Sequence, residues 1–156
     1  MFRTLIFGGV SAATVVFAFG NVFAQTPSGA PAQAKAMEER VIAELKANAS
    51  AAVEKFNRRD GEFRQGDLYV FCFNVENGVF TAHPDGGLLG TDIRRLWEMD
   101  GSPLGKKIFD ASNGANDSTV VTVIYNFPKP GATNPAPKES YVTKVVNQGC
   151  GVGYYK

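Results

Sequence analysis

Along residues 34–56 the apolar positions Met37, Val41, Leu45, Ala49, Ala52 and Phe56 recur at steps of three and four, with Glu38, Glu39, Arg40, Lys46 and Glu54 largely between them. That spacing lines one helical face. No Gly or Pro interrupts it, so one amphipathic helix of about five to six turns is predicted there. The period then changes. Leu68-Tyr69-Val70-Phe71-Cys72-Phe73-Asn74 is a run of aromatic and β-branched residues and predicts a buried strand. Asn77-Gly78 signals a hairpin, because both residues tolerate positive φ, with residues 79–83 returning antiparallel. Residues 84–117, rich in Gly, Asp and Pro, form an irregular insert with short helical possibilities at 92–99 and 104–111. Strands are predicted at 118–127, at 138–146 beyond a Pro-rich loop, and at 149–155. Helix, hairpin, insert and three consecutive strands make an α+β fold in which the helix covers one face of an antiparallel sheet. The insert roofs the other face, where a small-molecule cavity is expected.

Two segments precede this domain. Met1-Phe2-Arg3, an uncharged apolar run over residues 4–19, then Gly20-Asn21 and Val22-Phe23-Ala24 have the order of a secretory signal peptide, with cleavage expected after Ala24. An uncleaved membrane anchor is the alternative, since the apolar stretch is long enough. Residues 25–33 are Pro, Gly and small polar residues and read as a flexible leader, leaving 34–156 as the domain.

Composition narrows the function. The 156 residues carry 16 Lys+Arg against 15 Asp+Glu, which gives nucleic acid no basic footprint. Cleavage after Ala24 leaves 132 residues with 15 basic and 15 acidic side chains, a neutral protein expected in the periplasm or medium. Two Cys and one His cannot supply a self-contained Cys/His metal site, and Cys-x-x-Cys-His is absent, so no metal or cofactor is expected. With one His and no Gly-x-Ser-x-Gly elbow, no catalytic step is expected either.

The residues also resemble a known family. Gly66-Asp67-Leu68-Tyr69-Val70-Phe71, Asn77-Gly78, His83-Pro84-Asp85, Asp100-Gly101-Ser102-Pro103-Leu104, Tyr125-Asn126-Phe127-Pro128-Lys129-Pro130, Lys138-Glu139-Ser140-Tyr141-Val142-Thr143-Lys144 and Gly151-Val152-Gly153-Tyr154 follow in one unbroken order. That series is similar to the single Cache domains of bacterial extracytoplasmic sensors, over essentially all of the chain from about residue 36. The resemblance implies a PAS-like domain: a long N-terminal helix on a five-stranded antiparallel sheet of order 2-1-5-4-3, with a ligand pocket on the face away from the helix. It also implies a small organic ligand, often a short carboxylate. Most members carry transmembrane helices and a signalling domain, whereas this sequence ends at Lys156 directly after its last strand. The expectation is therefore a free, exported binding protein that serves a membrane receptor or transporter. The rival reading is an exported structural or interaction protein with a Cache-like fold and no ligand.

Strand alternation puts Ser140, Val142, Lys144 and Val146 on one face, and Lys144 falls on the family's Ser-Tyr-Val-x-Lys block, where a cation can anchor a carboxylate. Lys138 sits beside the Pro-rich loop, and Arg58, Arg59 and Arg64 flank the first strand on its exposed approach, which leaves Lys144 as the expected hook. Arg94 and Arg95, in the insert, read as solvated surface charge. Trp97 and Tyr125, in or beside the insert, are expected to bound the pocket, with Phe71 and Tyr141 among the strand aromatics that line it. His83 either touches the ligand or fixes the start of the insert through side-chain hydrogen bonds. The implied strand order also makes the strands of Cys72 and Cys150 neighbours. A disulfide between them is possible, and two buried thiols are the alternative.

Overall fold

The computed structural model describes residues 30–58 and 61–156. The expected signal peptide and the first part of the leader lie outside them. Helix α1 (Ala30–Phe56) starts inside the stretch read as leader and buries Ala34, Met37, Val41, Leu45, Ala52 and Phe56, the face that the sequence periodicity predicts. Each large side chain so buried contributes about 1.5–3 kcal/mol. The helix is not continuous. Asn48 is extended (φ −165°, ψ 103°), and its Oδ1 accepts the Ala51 N–H at 3.1 Å. Asn48 thus caps a second helical segment, because its side chain satisfies a backbone donor that a straight helix would bond internally.

Six strands follow: β1 (Arg64–Gln65), β2 (Leu68–Asn74), β3 (Phe80–Ala82), β4 (Val121–Pro128), β5 (Pro135–Val145) and β6 (Gln148–Tyr155). All pairings are antiparallel in the order β3-β2-β6-β5-β4, with the two-residue β1 also paired to β2. Without β1 this is the expected five-strand order, so the sequence reading missed only that short ribbon. The β2–β3 hairpin lies where expected, but its turn is longer than a two-residue one. Only Gly78 has positive φ, and Asn74 Oδ1 accepts the N–H groups of Glu76 and Asn77. Between β3 and β4 the insert forms a one-turn 3₁₀ helix (Ile93–Arg95) and α2 (Leu104–Gly114).

The sheet separates two cores. On the α1 side lie Val70, Cys72, Val145, Cys150 and Val152; on the insert side lie Tyr69, Phe71, Phe73, Val123, Tyr125 and Val142. Cys72 and Cys150 are direct cross-strand partners with Cα atoms 4.1 Å apart, and they form a disulfide under α1. On the insert side β6 presents Gly149, Gly151 and Gly153. A Cβ there would strike the Phe73 ring, the Phe71 ring, and Ser140 Oγ with Lys138 Cε, respectively. These glycines make β6 a flat floor on which larger side chains lie. The insert is tied to the outer edge of β4, where Lys107 Nζ donates to the Ile124 carbonyl at 2.6 Å and Glu98 Oε2 accepts from the Asn126 N–H at 2.9 Å. Those bonds occupy backbone groups that an open sheet edge would expose.

Candidate binding site

The floor of β6 and the aromatic residues of β2 and β4 meet the insert at one end of the sheet. Phe71, Phe80, Leu104, Ile108, Tyr125 and Phe127 enclose a cavity of about 20 Å³ with Tyr69 and His83 at its side. It has room for about one water molecule. Two grooves adjoin it, of about 150 and 420 Å³, and both share Tyr69 and His83 with it.

The cation of this region is Lys138. It is fully buried, and its Nζ has no hydrogen-bond partner. It lies 3.8 Å from the centroid of the Tyr69 ring, 4.9 Å from that of Tyr155 and 5.8 Å from that of Phe127. Three ring faces thus stand in for water around the ammonium, an attraction of about 2 kcal/mol or more when desolvated. Burial pulls its pKa down to about 7, opposed weakly by the charge of Asp67. Gly153, directly opposite Ser140 on β6, leaves the space that the lysine stem occupies. Next to it the Tyr125 hydroxyl and Ser140 Oγ share a hydrogen bond of 2.7 Å, and burial raises the phenol's pKa.

His83 is tied to Asp85 through Nδ1. Nδ1 accepts the Asp85 N–H at 3.0 Å in one tautomer and donates to the Asp85 carbonyl at 3.3 Å in the other. Burial lowers its pKa to about 4, with the Lys138 charge acting in the same direction, so the ring is neutral at physiological pH. Its edge-on contacts with Tyr69 and Phe80, both with centroids 5.5 Å away, fix the ring. His83 therefore both anchors the start of the insert and lines the cavity and grooves.

Of the other residues expected from sequence, Tyr125 and Phe71 line the cavity. Three do not. Lys144 has the predicted facing but lies six residues from Lys138 along β5, about 20 Å at strand rise, with Nζ 3.4 Å from the Asn113 carbonyl at the end of α2. Tyr141 projects to the α1 side, its ring tilted against that of Tyr154 with centroids 6.2 Å apart. Trp97 is 62% exposed, because the bonds of Glu98 to Asn126 hold that loop against β4 and turn the indole outward. The sequence reading passed over Lys138 because Pro135 and Pro137 suggested a loop. β5 includes both prolines, which lie past its last pair with β6, Lys138↔Tyr155, where the ladder on that side has ended. Alternation would have found Lys138, which is in phase with Ser140, Val142 and Lys144. Among the described residues no three His, Cys, Asp or Glu side chains gather as metal ligands.

No protein-family model matches the sequence, and no curated protein matches it. Solved structures do. A methyl-accepting chemotaxis protein from Vibrio parahaemolyticus RIMD 2210633 is 22% identical with a TM-score of 0.62, over 79% of this chain and 86% of that one. A Cache chemosensory domain solved to explain carboxylic acid recognition is 21% identical with a TM-score of 0.64, over 79% of this chain and 90% of that one. The periplasmic sensor domain of a chemotaxis protein is 24% identical with a TM-score of 0.57, over 78% and 86%. With its long helix on one face of the antiparallel sheet and its insert on the other, this chain has the fold of a single Cache domain.

Proposed function

We propose that this protein is an exported, sensor-type binding domain that takes up a small organic anion, a short carboxylate being the favoured class, on the sheet face away from α1. The observation that carries this reading is Lys138, a fully buried cation without a hydrogen-bond partner beside an aromatic cavity. Such a charge is costly unless something compensates for it, and a carboxylate does so by a charge-assisted hydrogen bond. The carboxylic acid-binding Cache domain of the same fold supports the ligand class. A 20 Å³ cavity admits no carboxylate as it stands, so binding requires the rings over the ammonium, Tyr69 or Phe127, to give way to the ligand. The apolar end of the ligand would then meet Phe71, Phe80 and Leu104, and no bond in it is made or broken.

Export and cleavage after Ala24 belong to this proposal, with support from the Cys72–Cys150 disulfide, a bond that persists in oxidising compartments. A membrane receptor or transporter as partner is favoured by an apolar surface. Trp97 and Met99, 62% and 85% exposed, flank Glu98, which bonds Asn126 two residues from the half-exposed Ile124. The same surface favours the second reading, a protein-binding module without a ligand. A thermal-shift screen of short carboxylates separates the two, since a ligand at about 100 times its Kd adds about 2.7 kcal/mol of stability. A response to acetate, propionate, lactate or pyruvate that disappears in Lys138→Met supports the sensor reading. No response to any of them contradicts it.

A further inference from the structure

The cavity beneath the insert is far smaller than the adjoining groove of about 420 Å³ between β1, the turn at His83-Pro84-Asp85 and the loop from Phe127 to Ala132. The groove's size falls in the usual range for small-molecule sites, about 300–1,000 Å³, whereas the inner cavity does not. We propose that this groove is a second binding site, for a planar aromatic carboxylate, with Arg64 holding the carboxylate and Tyr69, His83 and Phe127 forming the wall for the ring.

Arg64 is aimed at this groove by the sheet. It lies on β1 directly opposite Tyr69, and directly opposed residues of an antiparallel pair project from the same face, which for Tyr69 is the insert side. The ribbon is fixed by the turn at Gly66, whose φ of +60° suits glycine, and by the Arg64 N–H bond to the Gly61 carbonyl at 3.1 Å. Among the described residues no carboxylate lies within ion-pairing distance of the Arg64 guanidinium. Lys129, the other cation of the groove, is already committed, with Nζ 3.0 Å from Asp67 and 5.3 Å from the Tyr155 ring centroid. A guanidinium offers two parallel donors in the geometry of a carboxylate, and it binds flat, delocalised anions better than an ammonium does.

The rest of the groove selects the body of the ligand. Its wall combines three rings with Pro84, Pro128 and Pro130, a surface suited to stacking and poor in donors. Asp85 stands on the same groove, with Oδ1 accepting the Gly87 N–H at 2.9 Å and no cation paired with its carboxylate among the described residues. That carboxylate disfavours a second acidic group on the ligand and accepts a hydrogen bond from a ring hydroxyl. The chemistry is therefore that of a hydroxylated aromatic monocarboxylic acid rather than a dicarboxylate.

The test is calorimetric titration of the protein with 4-hydroxybenzoate, benzoate, succinate and propionate, repeated in Arg64→Ala, Arg64→Lys and Lys138→Met. The expected result is 4-hydroxybenzoate binding tighter than benzoate and succinate, with affinity reduced about tenfold in Arg64→Ala and less in Arg64→Lys. Propionate affinity should change less than about twofold in Arg64→Ala, because that ligand is assigned to Lys138. Arg64-dependent binding of 4-hydroxybenzoate without any propionate binding would refute the inner-site reading and leave this one standing. Failure of both aromatic acids to bind, affinity for them unchanged in Arg64→Ala, or tighter binding of succinate than of 4-hydroxybenzoate overturns the proposal.

Discussion

Replacing Lys138 by Met should make the protein more stable while abolishing its response to carboxylates. The side chain is fully buried, and burial pulls the pKa of its amine from 10.5 down to about 7. At about 1.4 kcal/mol per unit, keeping this group in the folded protein at pH 7 costs about 4–5 kcal/mol. The contacts with Tyr69, Tyr155 and Phe127 return about 2 kcal/mol of that. Methionine keeps an unbranched chain of similar length over Gly153 and carries no charge, so the expected gain is about 2–3 kcal/mol at pH 7. The pH dependence has a definite sign. The folded-state pKa is depressed, so between about 7 and 10.5 the unfolded chain binds more protons than the folded one. The Lys138 contribution to stability is therefore greatest above 10.5, falls as pH drops towards 7, and is flat below. Urea denaturation of both proteins at pH 7 and pH 9.5 measures this, with the advantage of Met shrinking at the higher pH. A Lys138→Met variant that is less stable than the parent at pH 7, or whose advantage does not change with pH, refutes the description of Lys138 as an uncompensated buried cation.

Three further outcomes follow from other parts of the fold. Glu38 on α1 is fully buried, and burial raises its pKa well above 4.5 against the weaker opposing effect of the Val152 backbone, so its contribution is complete below 4.5 and lost as pH rises. Glu38→Gln should be more stable than the parent at pH 8 and lose the advantage near pH 4, as thermal melts at the two pH values would register; equal melting shifts at both would count against it. Replacing Cys72 and Cys150 together by Ala removes a crosslink spanning 78 residues and should lower stability by about 4.5 kcal/mol in the loop-entropy account, read from urea midpoints. Gly153→Ala drives a methyl into Lys138 Cε and Ser140 Oγ and should cost about 1–3 kcal/mol along with carboxylate affinity, and an unperturbed variant would mean that the lysine does not cross β6 there.

The sequence made the scaffold legible wherever one residue type dominated a stretch. The run Leu68–Asn74 could only be a buried strand, and the apolar face from Met37 to Phe56 could only cover something. The interruption at Asn48 was hidden, because an Asn that caps a new segment looks in sequence like an Asn on the exposed side of a continuous helix. Three of the six expected pocket residues, Phe71, Tyr125 and His83, line the cavity, Tyr125 through its place beside the insert, whereas strand parity gave Lys144 the right face at the end of β5 away from the cavity. Trp97 depended on a contact between distant segments, Glu98 to Asn126, that no local pattern encodes. Lys138 was hidden because Pro135 and Pro137 made the start of β5 look like loop, and Arg64 because the facing of so short a strand is set by pairing with a remote residue, Tyr69.

The central claim is that Lys138 receives the ligand's negative charge, and the most direct measurement is a crystal structure with the short carboxylate that gives the largest thermal shift. The account predicts a carboxylate oxygen about 3 Å from Lys138 Nζ, with the Tyr69 or Phe127 ring moved off the ammonium. A carboxylate bound at Lys144, or anywhere else while the Tyr69 ring still covers Lys138, would contradict it.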